Sequence, residues 1–338
     1  MPGLLGVEKL AVIYAAFTLA LTAILAPDME MRTLAEVIGG RIAIAIVMFL
    51  LYKVYHYRPC HATYQLRVIF QFLLLGYWYP DIYNFTSLMP NHDEIFAQAD
   101  QWLFGCQPAV AFPTALSGTF WRELFDMGYA SYFVIILSAL AVPILRRPRR
   151  FDSVTFVVMC SFFLYYIVFL LLPTAGPQYY FNVPGVDAVK GIFPSVDDWF
   201  RTHSALQSSY CGIDTSPRGI FGHIVKFLHG SERPIAAFPS SHVGASTVIL
   251  ILMFRMKKKY GLIMLPFYII LCLSTVYIGA HYAVDVIFGW VSAIVFFYIS
   301  RRLYKSRYFH RPKGFDSLHR FGHHHQHRHQ HSHHHRSM

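Results

Sequence analysis

The chain has 338 residues, of which 55% are hydrophobic, 17% are aromatic and only 14% are charged. Its apolar residues come in runs longer than the helices of a soluble core need, which argues against a soluble protein and predicts an integral membrane protein. The formal net charge of +11 does not require a nucleic-acid partner, because the basic residues lie mostly in loops and in the tail, where they favour an anionic lipid leaflet.

The hydropathy pattern predicts an all-α polytopic membrane protein with about eight transmembrane helices. Three of them are less regular: the third contains Arg67 and Gln71, the sixth is short, and the last two are separated by almost no loop. No small-residue cleavage region follows the first apolar stretch, so we expect a retained anchor and not a cleaved signal peptide. The predicted helices cover residues 7–26, 38–55, 64–83, 128–146, 152–172, 241–256, 261–279 and 282–303.

Basic residues form clusters on alternate connections between these helices, and the positive-inside rule places those connections in the cytoplasm. Both termini are then cytoplasmic, and the opposite helix ends face the periplasm of a bacterium or the Golgi lumen of a eukaryote. The clusters are Lys53 and Arg58; Arg146, Arg147, Arg149 and Arg150; Arg255, Lys257, Lys258 and Lys259; and Arg301, Arg302, Lys305 and Arg307.

Two predicted non-cytoplasmic segments are long enough to contribute to function. Residues 84–127 mix acids and aromatics, including Asp93, Asp100 and Trp102, and are predicted to form an amphipathic layer along the membrane interface. Residues 173–240 include TAGPQYYF, whose aromatics either line a substrate mouth or belong to an interfacial belt. The candidate mouth residues are Gln178, Tyr179, Tyr180, Tyr277 and Tyr282.

The five cysteines do not make a disulfide framework. Cys160 and Cys272 fall inside predicted helices and Cys60 lies on the predicted cytoplasmic side. Cys106 and Cys211 are therefore the one pair that could form a bridge in an oxidising compartment, and the sequence is compatible with either a bridge or two thiols.

The residues after Tyr308 form a basic, histidine-rich tail, which we expect to be disordered because it has no apolar face. Its histidines can bind metal adventitiously, but the predicted chemistry needs neither a metal nor a cofactor. The chain is thus predicted to divide into N-terminal transmembrane helices at 1–83, the interfacial segment at 84–127, a catalytic region at 128–304 and the tail at 305–338.

Two histidines and one aspartate lie at predicted helix ends in an arrangement that suits phosphoryl transfer. His281 and Asp285 are four residues apart, which on a helix puts the carboxylate within reach of the imidazole. If Asp285 keeps one ring nitrogen protonated, His281 can present the other to phosphorus as a nucleophile. His242 then serves as general acid for the departing alkoxide and later as general base for the acceptor. A lone pair of this kind is usually structural, but ionisable residues at membrane helices are functional candidates.

The residues before His242 suit a phosphate site. Ser240, Ser241 and the backbone N–H groups of the following helix start would face an anion, with the helix dipole behind them. Lys226 and Arg233 lie upstream and could stabilise the charge on the equatorial oxygens of a phosphoryl group. A lone cation in a loop is more often simply solvated.

Over about residues 90–304 the sequence resembles the type 2 phosphatidic acid phosphatase (PAP2) superfamily, whose motifs read KxxxxxxRP, PSGH and SRxxxxxHxxxD. Lys226 to Pro234 resembles the first motif, residues 239–242 resemble the second with Ser for Gly, and Ser274, His281 and Asp285 resemble the third. Thr275 stands where the third motif has Arg, and the first motif lies unusually close to the second. The resemblance implies a six-helix catalytic core. AAFPSSHVGAS and YIGAHYAVDV are most similar to the subgroup with inositol phosphorylceramide synthases, which commonly lacks that arginine.

Three functions are compatible with these residues. The favoured one is a transferase that moves a phosphorylated head group, such as phosphoinositol from phosphatidylinositol, to a lipid alcohol such as ceramide through a phosphohistidine. The second is a lipid phosphate or pyrophosphate phosphatase, in which water takes the phosphoryl group. The third, an inactive scaffold, is disfavoured by the intact His242, His281 and Asp285. The missing arginine and the extra N-terminal helices, which give room for two lipids, favour the transferase.

Overall fold

A computed structural model describes residues 3–229 and 233–309, with residues 228 and 229 described by their backbone alone. Within these residues the chain is almost entirely helical, with one two-stranded ribbon of β1 (Ser209–Tyr210) and β2 (Ile213–Asp214). The helices are α1 (Gly6–Leu25), α2 (Met31–Tyr57), α3 (His61–Leu73), α4 (Leu75–Asp81), α5 (Tyr83–Thr86), α6 (Asp93–Phe104), α7 (Pro108–Ala115), α8 (Thr119–Arg146), α9 (Phe151–Leu171), α10 (Pro177–Tyr180), α11 (Ile220–His229), α12 (Ser241–Met256), α13 (Lys258–Tyr277) and α14 (Ala283–Tyr304).

In the described part of the chain, six helices are long and apolar enough to cross a membrane: α1, α2, α8, α9, α13 and α14. A shorter apolar helix, α12, lies among them. This confirms the predicted all-α polytopic membrane protein.

The segment predicted as a single helix at residues 64–83 differs from that prediction, because it forms three consecutive helices, α3, α4 and α5. Pro80 lies inside α4 and cannot donate a backbone hydrogen bond, which favours short helices here. The helix predicted to begin at residue 128 begins at Thr119, as α8.

Helix α9 connects the N-terminal helices to the rest of the bundle. On one side it contacts α1, α3, α4 and α5, and on the other it contacts α8, α12 and α14. Its residues are buried almost continuously from Val154 to Phe163, as expected for a helix surrounded by other helices.

Two buried ion pairs fix the N-terminal helices to one another. Arg67 donates to both carboxylate oxygens of Glu8, at 2.8 and 2.5 Å. Arg41 donates to Asp81 at 3.2 and 2.7 Å and thereby joins α2 to the end of α4. A charge in an apolar bundle is costly unless it is paired, so these pairs explain how Arg67 is accommodated in an apolar segment.

The four basic clusters of the sequence lie at one end of the bundle. Tyr64, near the first cluster, donates to Asp152 beside the second at 2.6 Å. Phe156 packs against Tyr304 near the fourth cluster, with ring centroids 5.4 Å apart. Arg255 and Arg301 lie over the same Phe297 ring, which joins the third cluster to the fourth. His242 lies near the other end of α12, and His281 directly precedes the start of α14.

Helices α6 and α7, the β-ribbon and α11 form a layer over the end that carries the two histidines. Helix α6 buries acidic side chains and exposes an aromatic one: Asp93 and Asp100 are fully buried, whereas Trp102 is 85% exposed. The position of this layer at a membrane interface stays a prediction. Cys106 and Cys211 in the same layer are exposed free thiols, and the predicted disordered tail lies, beyond residue 309, outside the described residues.

Candidate active site

The two predicted catalytic histidines meet directly. His242 is the second residue of α12, and His281 lies in the turn between α13 and α14. Gly279 adopts a left-handed conformation with φ of +77°, which reverses the chain after α13 and brings His281 back toward the bundle. Nδ1 of His242 lies 3.1 Å from Nε2 of His281, and both side chains are buried.

A backbone carbonyl determines the tautomer of His281. Its Nδ1 lies 2.7 Å from the carbonyl oxygen of Ala237 and 3.5 Å from a carboxylate oxygen of Asp285. Because a carbonyl only accepts, Nδ1 carries the proton and donates it, and the lone pair of Nε2 points at His242. The sequence predicts that Asp285 holds this nitrogen protonated; in the structure its carboxylate is the more distant of the two acceptors, because His281 precedes α14.

Burial also controls the charge of His281. It lowers the pKa of His281 to about 4, although the hydrogen bond to Ala237 acts in the opposite direction. The imidazole is therefore neutral near pH 7, and Nε2 has the free lone pair that a nucleophile needs.

Asp285 joins the two histidine segments. One carboxylate oxygen accepts from the backbone N–H of Tyr282 at 2.9 Å, which caps the start of α14. Its own carbonyl accepts from the N–H of Ser240 at 3.1 Å and so links the start of α14 to the start of α12. The other carboxylate oxygen is buried and has no partner in the described part of the chain.

Two tyrosines of α8 hold the ring of His242. The ring of Tyr129 stacks on it with centroids 4.8 Å apart, and that of Tyr132 lies tilted at 4.3 Å. Contact with both rings restricts rotation of the imidazole, so His242 keeps its Nδ1 directed at His281.

The two predicted phosphate-site serines differ in role. Ser240 is the N-cap of α12, and its hydroxyl accepts from the N–H of Val243 at 3.3 Å. Ser241 is the next residue, and it lines the same cavity as His242. Ser241 is therefore the better placed of the two to contact a phosphoryl oxygen.

A cavity of about 390 Å³, here called the apolar cavity, extends from His242 and Ser241 between α3–α4 and α8–α9. Its walls are mainly aliphatic and aromatic, and Arg233 lies in its lining together with the two polar residues. The guanidinium of Arg233 lies 4.8 Å from the centre of the Tyr83 ring. The wall residues include Leu73, Leu75, Gly76, Leu137 and Tyr166.

A second cavity of about 450 Å³, the polar cavity, lies on the other side of Tyr129. It is lined by Lys226, Arg122, Asp126 and Gln178, with the hydroxyls of Ser208, Thr215 and Ser216. The two cations predicted to bind one phosphate thus line different cavities, because Lys226 lies on the polar cavity and Arg233 on the apolar one.

Of the five predicted mouth residues, Gln178 lines the polar cavity. The four tyrosines are buried, which argues against an exposed mouth at their positions. Tyr180, Tyr277 and Tyr282 donate to the carbonyl of Pro194, the carbonyl of Leu116 and the carboxylate of Asp93, at 2.7, 2.9 and 2.8 Å. Tyr179 packs against Phe200.

Residues 94–299 match the family model of the PAP2 superfamily. The chain belongs to the PAP2 superfamily. It is also similar to the inositol phosphorylceramide synthase catalytic subunit aur1 of Schizosaccharomyces pombe, with 26% identity over 132 residues. That match covers 37% of this chain and 31% of the yeast protein, so the chain spans about a third of the length of this relative. Comparison with solved structures found no match.

Membership in the PAP2 superfamily supports the motif assignment. The structure shows what Thr275, which departs from the motif, does in its place. Thr275 stands where the third PAP2 motif has Arg, and it is fully buried. Its hydroxyl donates to the carbonyl of Cys272 at 2.9 Å, and its carbonyl accepts from the N–H of His281 at 3.0 Å. This position helps to place His281 and contributes no cation to the site.

Two carboxylates on α6 support the PAP2 site in a way that the sequence did not reveal. Asp93 accepts from the N–H groups of Ala175 and Gly176 at 2.5 and 2.7 Å and from the hydroxyl of Tyr282. Asp100 accepts from the N–H groups of Ala283 and Val284, both at 2.9 Å, at the start of α14. The one signal in the sequence is their seven-residue spacing, which places them on one face of a helix.

Thr174 completes this support. Its hydroxyl accepts from the N–H groups of Ala237 and Phe238, at 3.1 and 2.9 Å. The segment that it holds carries the Ala237 carbonyl that orients His281. Asp93 binds the N–H groups next to Thr174, and Thr174 binds the segment of Ala237, so this loop connects α6 to His281.

Proposed function

We propose that this PAP2 protein is a lipid phosphotransferase, which moves a phosphorylated head group from a phospholipid to a lipid alcohol. The observation that carries the proposal is that His242 lines the apolar cavity, while Tyr129, whose ring stacks on His242, lines the polar cavity. The apolar cavity reaches His242 and suits hydrocarbon chains, and the polar cavity, next to Tyr129, suits a head group rich in hydroxyls.

The reaction follows from the tautomers of the two histidines. Nε2 of His281 attacks phosphorus, and the bond from phosphorus to the diacylglycerol oxygen breaks. The departing oxygen takes the proton from Nδ1 of His242. The hydroxyl of the acceptor then gives its proton to His242 while its oxygen attacks phosphorus, and the P–N bond to His281 breaks.

The resting hydrogen bond between the histidines occupies the place that the phosphoryl group needs. At 3.1 Å from Nδ1 to Nε2 there is no room for phosphorus, so substrate binding has to separate the rings. In the proposed complex, Ser241 and Arg233 contact the phosphoryl oxygens, because they line the cavity on the His242 side.

The similarity to the yeast inositol phosphorylceramide synthase supports phosphatidylinositol as donor and ceramide as acceptor. The positive-inside rule, applied to the basic end of the bundle, supports a site on the non-cytoplasmic face with both termini in the cytoplasm. In the alternative reaction, water takes the phosphoryl group and the protein is a lipid phosphatase.

Purified protein in vesicles that contain phosphatidylinositol labelled in the inositol, with and without ceramide, tests this proposal. We expect labelled inositol phosphorylceramide and diacylglycerol in equal amounts, and neither product in quantity without ceramide, since a transferase has to keep water from the phosphohistidine. Release of inorganic phosphate from phosphatidic acid, with no head-group transfer to any lipid alcohol, would establish the phosphatase instead.

A further inference from the structure

The apolar cavity has a lateral opening. Leu73 and Leu137 both line it and are 69% and 60% exposed, so the cavity reaches the surface of the bundle between them. Leu137 lies well inside α8, a candidate membrane helix. The opening therefore faces the hydrocarbon layer, and a lipid chain can enter from it without crossing water.

One wall of this cavity comes from outside the region that matches the PAP2 family model. Leu75 and Gly76 of α4 precede residue 94, where the match begins. This wall is firmly held: the hydroxyl of Tyr166 donates to the carbonyl of Leu75 at 3.1 Å, and the Arg41–Asp81 pair fixes the end of α4. These contacts give this wall of the cavity a defined shape.

The stereochemistry of in-line transfer identifies what occupies the cavity. His281 attacks phosphorus opposite the leaving oxygen, and in the second step the acceptor oxygen attacks opposite His281. The leaving and entering alcohols therefore occupy the same position in turn, and both exchange a proton with His242. Because His242 lines the apolar cavity, the chains of both alcohols lie in that cavity.

On the basis of the proposed function, we infer that the apolar cavity is a single binding site for the hydrocarbon part of a lipid alcohol. Diacylglycerol leaves through it in the first half-reaction, and the acceptor enters it in the second. The head group stays with phosphorus on the side of the polar cavity. Helix α4, an element beyond the family match, limits the length and bulk of the chain that fits.

Gly76 offers a direct test, because a Cβ at this position would meet no other group within 4 Å. Gly76→Leu therefore adds bulk to the cavity with little effect on the fold. Gly39→Leu is the matched control, since Gly39 is also in a helix, also has open space, and lies on α2 away from the cavity. Leu137→Trp narrows the same cavity from the opposite rim and serves as a second variant.

The measurement is the transfer rate for ceramides of short and long acyl chain. We expect Gly76→Leu and Leu137→Trp to lower the rate with long chains by about 10-fold or more relative to short chains, as a pocket discriminates by chain bulk. Gly39→Leu should retain the ratio of the unmodified protein. Equal ratios in all four proteins would overturn the inference.

A second arm distinguishes failure of this inference from failure of the proposed function. Release of diacylglycerol is measured in a single turnover without acceptor, using donors of short and long acyl chain. A shared site predicts the same shift in chain preference for donors as for acceptors, and a shift for acceptors alone would overturn it. If water proves to be the acceptor, the same measurement with phosphatidic acid still shows which acyl chains the cavity accepts. In that case the transferase proposal fails, and the inference about the cavity is tested on its own.

Discussion

Replacing His281 with alanine is expected to lower the rate of transfer by about 10³-fold or more, because the reaction loses its nucleophile. The buried, neutral imidazole has its free nitrogen 3.1 Å from Nδ1 of His242, the proposed general acid. The rate of head-group transfer in vesicles is the measurement, and thermal unfolding of the same preparation shows whether the variant folds.

His203→Ala is the matched control for this substitution. His203 is exposed, stacks on Trp199 and lines neither cavity. It should keep nearly full activity. If His281→Ala retained more than about a tenth of the activity, the covalent mechanism would be wrong, because loss of a nucleophile costs far more than that.

Replacing Asp93 with alanine is expected to lower both stability and activity, although Asp93 touches neither histidine. The carboxylate is fully buried and accepts from Ala175, Gly176 and Tyr282, as well as from the side chain of Asn91 at 2.7 Å. Each buried donor left without a partner costs about 1–3 kcal/mol, so we expect a total loss on the order of 3 kcal/mol or more.

The effect of Asp93→Ala on turnover should be about 10²-fold, since displacement of a positioning segment by about 1 Å is enough for such a loss. Asp93→Asn should be intermediate, because it keeps the shape but replaces one acceptor oxygen with a donor. Glu36→Ala, which removes an exposed carboxylate paired with Arg32, is the control. Unchanged unfolding temperature and turnover in Asp93→Ala would show that α6 does not position the site.

The long helices could be predicted from the sequence for a physical reason. A membrane helix needs a continuous apolar run, and such runs are visible for α1, α2, α8, α9, α13 and α14. The segment at residues 61–86 was harder, because its polar residues pair with partners far along the chain. Arg67 pairs with Glu8, and Asp81 with Arg41.

The support of the site could not be predicted in the same way. The acceptor nearest to Nδ1 of His281 is the backbone carbonyl of Ala237. Because every residue has a backbone carbonyl, the sequence cannot identify Ala237 as this partner. Asp93 and Asp100 looked like interfacial acids, since nothing in the sequence shows that they bind backbone N–H groups more than 80 residues away. Their role depends on tertiary structure alone.

The two cations show a related limit of motif spacing. Lys226 and Arg233 fit the spacing of one phosphate motif, but a loop position does not determine where a long side chain points. In the fold, Lys226 lies on the polar cavity and Arg233 on the apolar one. The extra N-terminal helices were expected to make room for lipids, and α4 provides a wall of the apolar cavity.

Trapping of the covalent intermediate tests the proposed mechanism most directly. The protein is incubated with inositol-labelled phosphatidylinositol and no acceptor, then denatured in alkali, where a phosphohistidine bond survives, and digested for mass spectrometry. We expect an inositol phosphoryl group on His281, absent from His281→Ala and lost when ceramide is added before denaturation. A modification on any other residue, or full transfer activity with no adduct on His281, would contradict the mechanism.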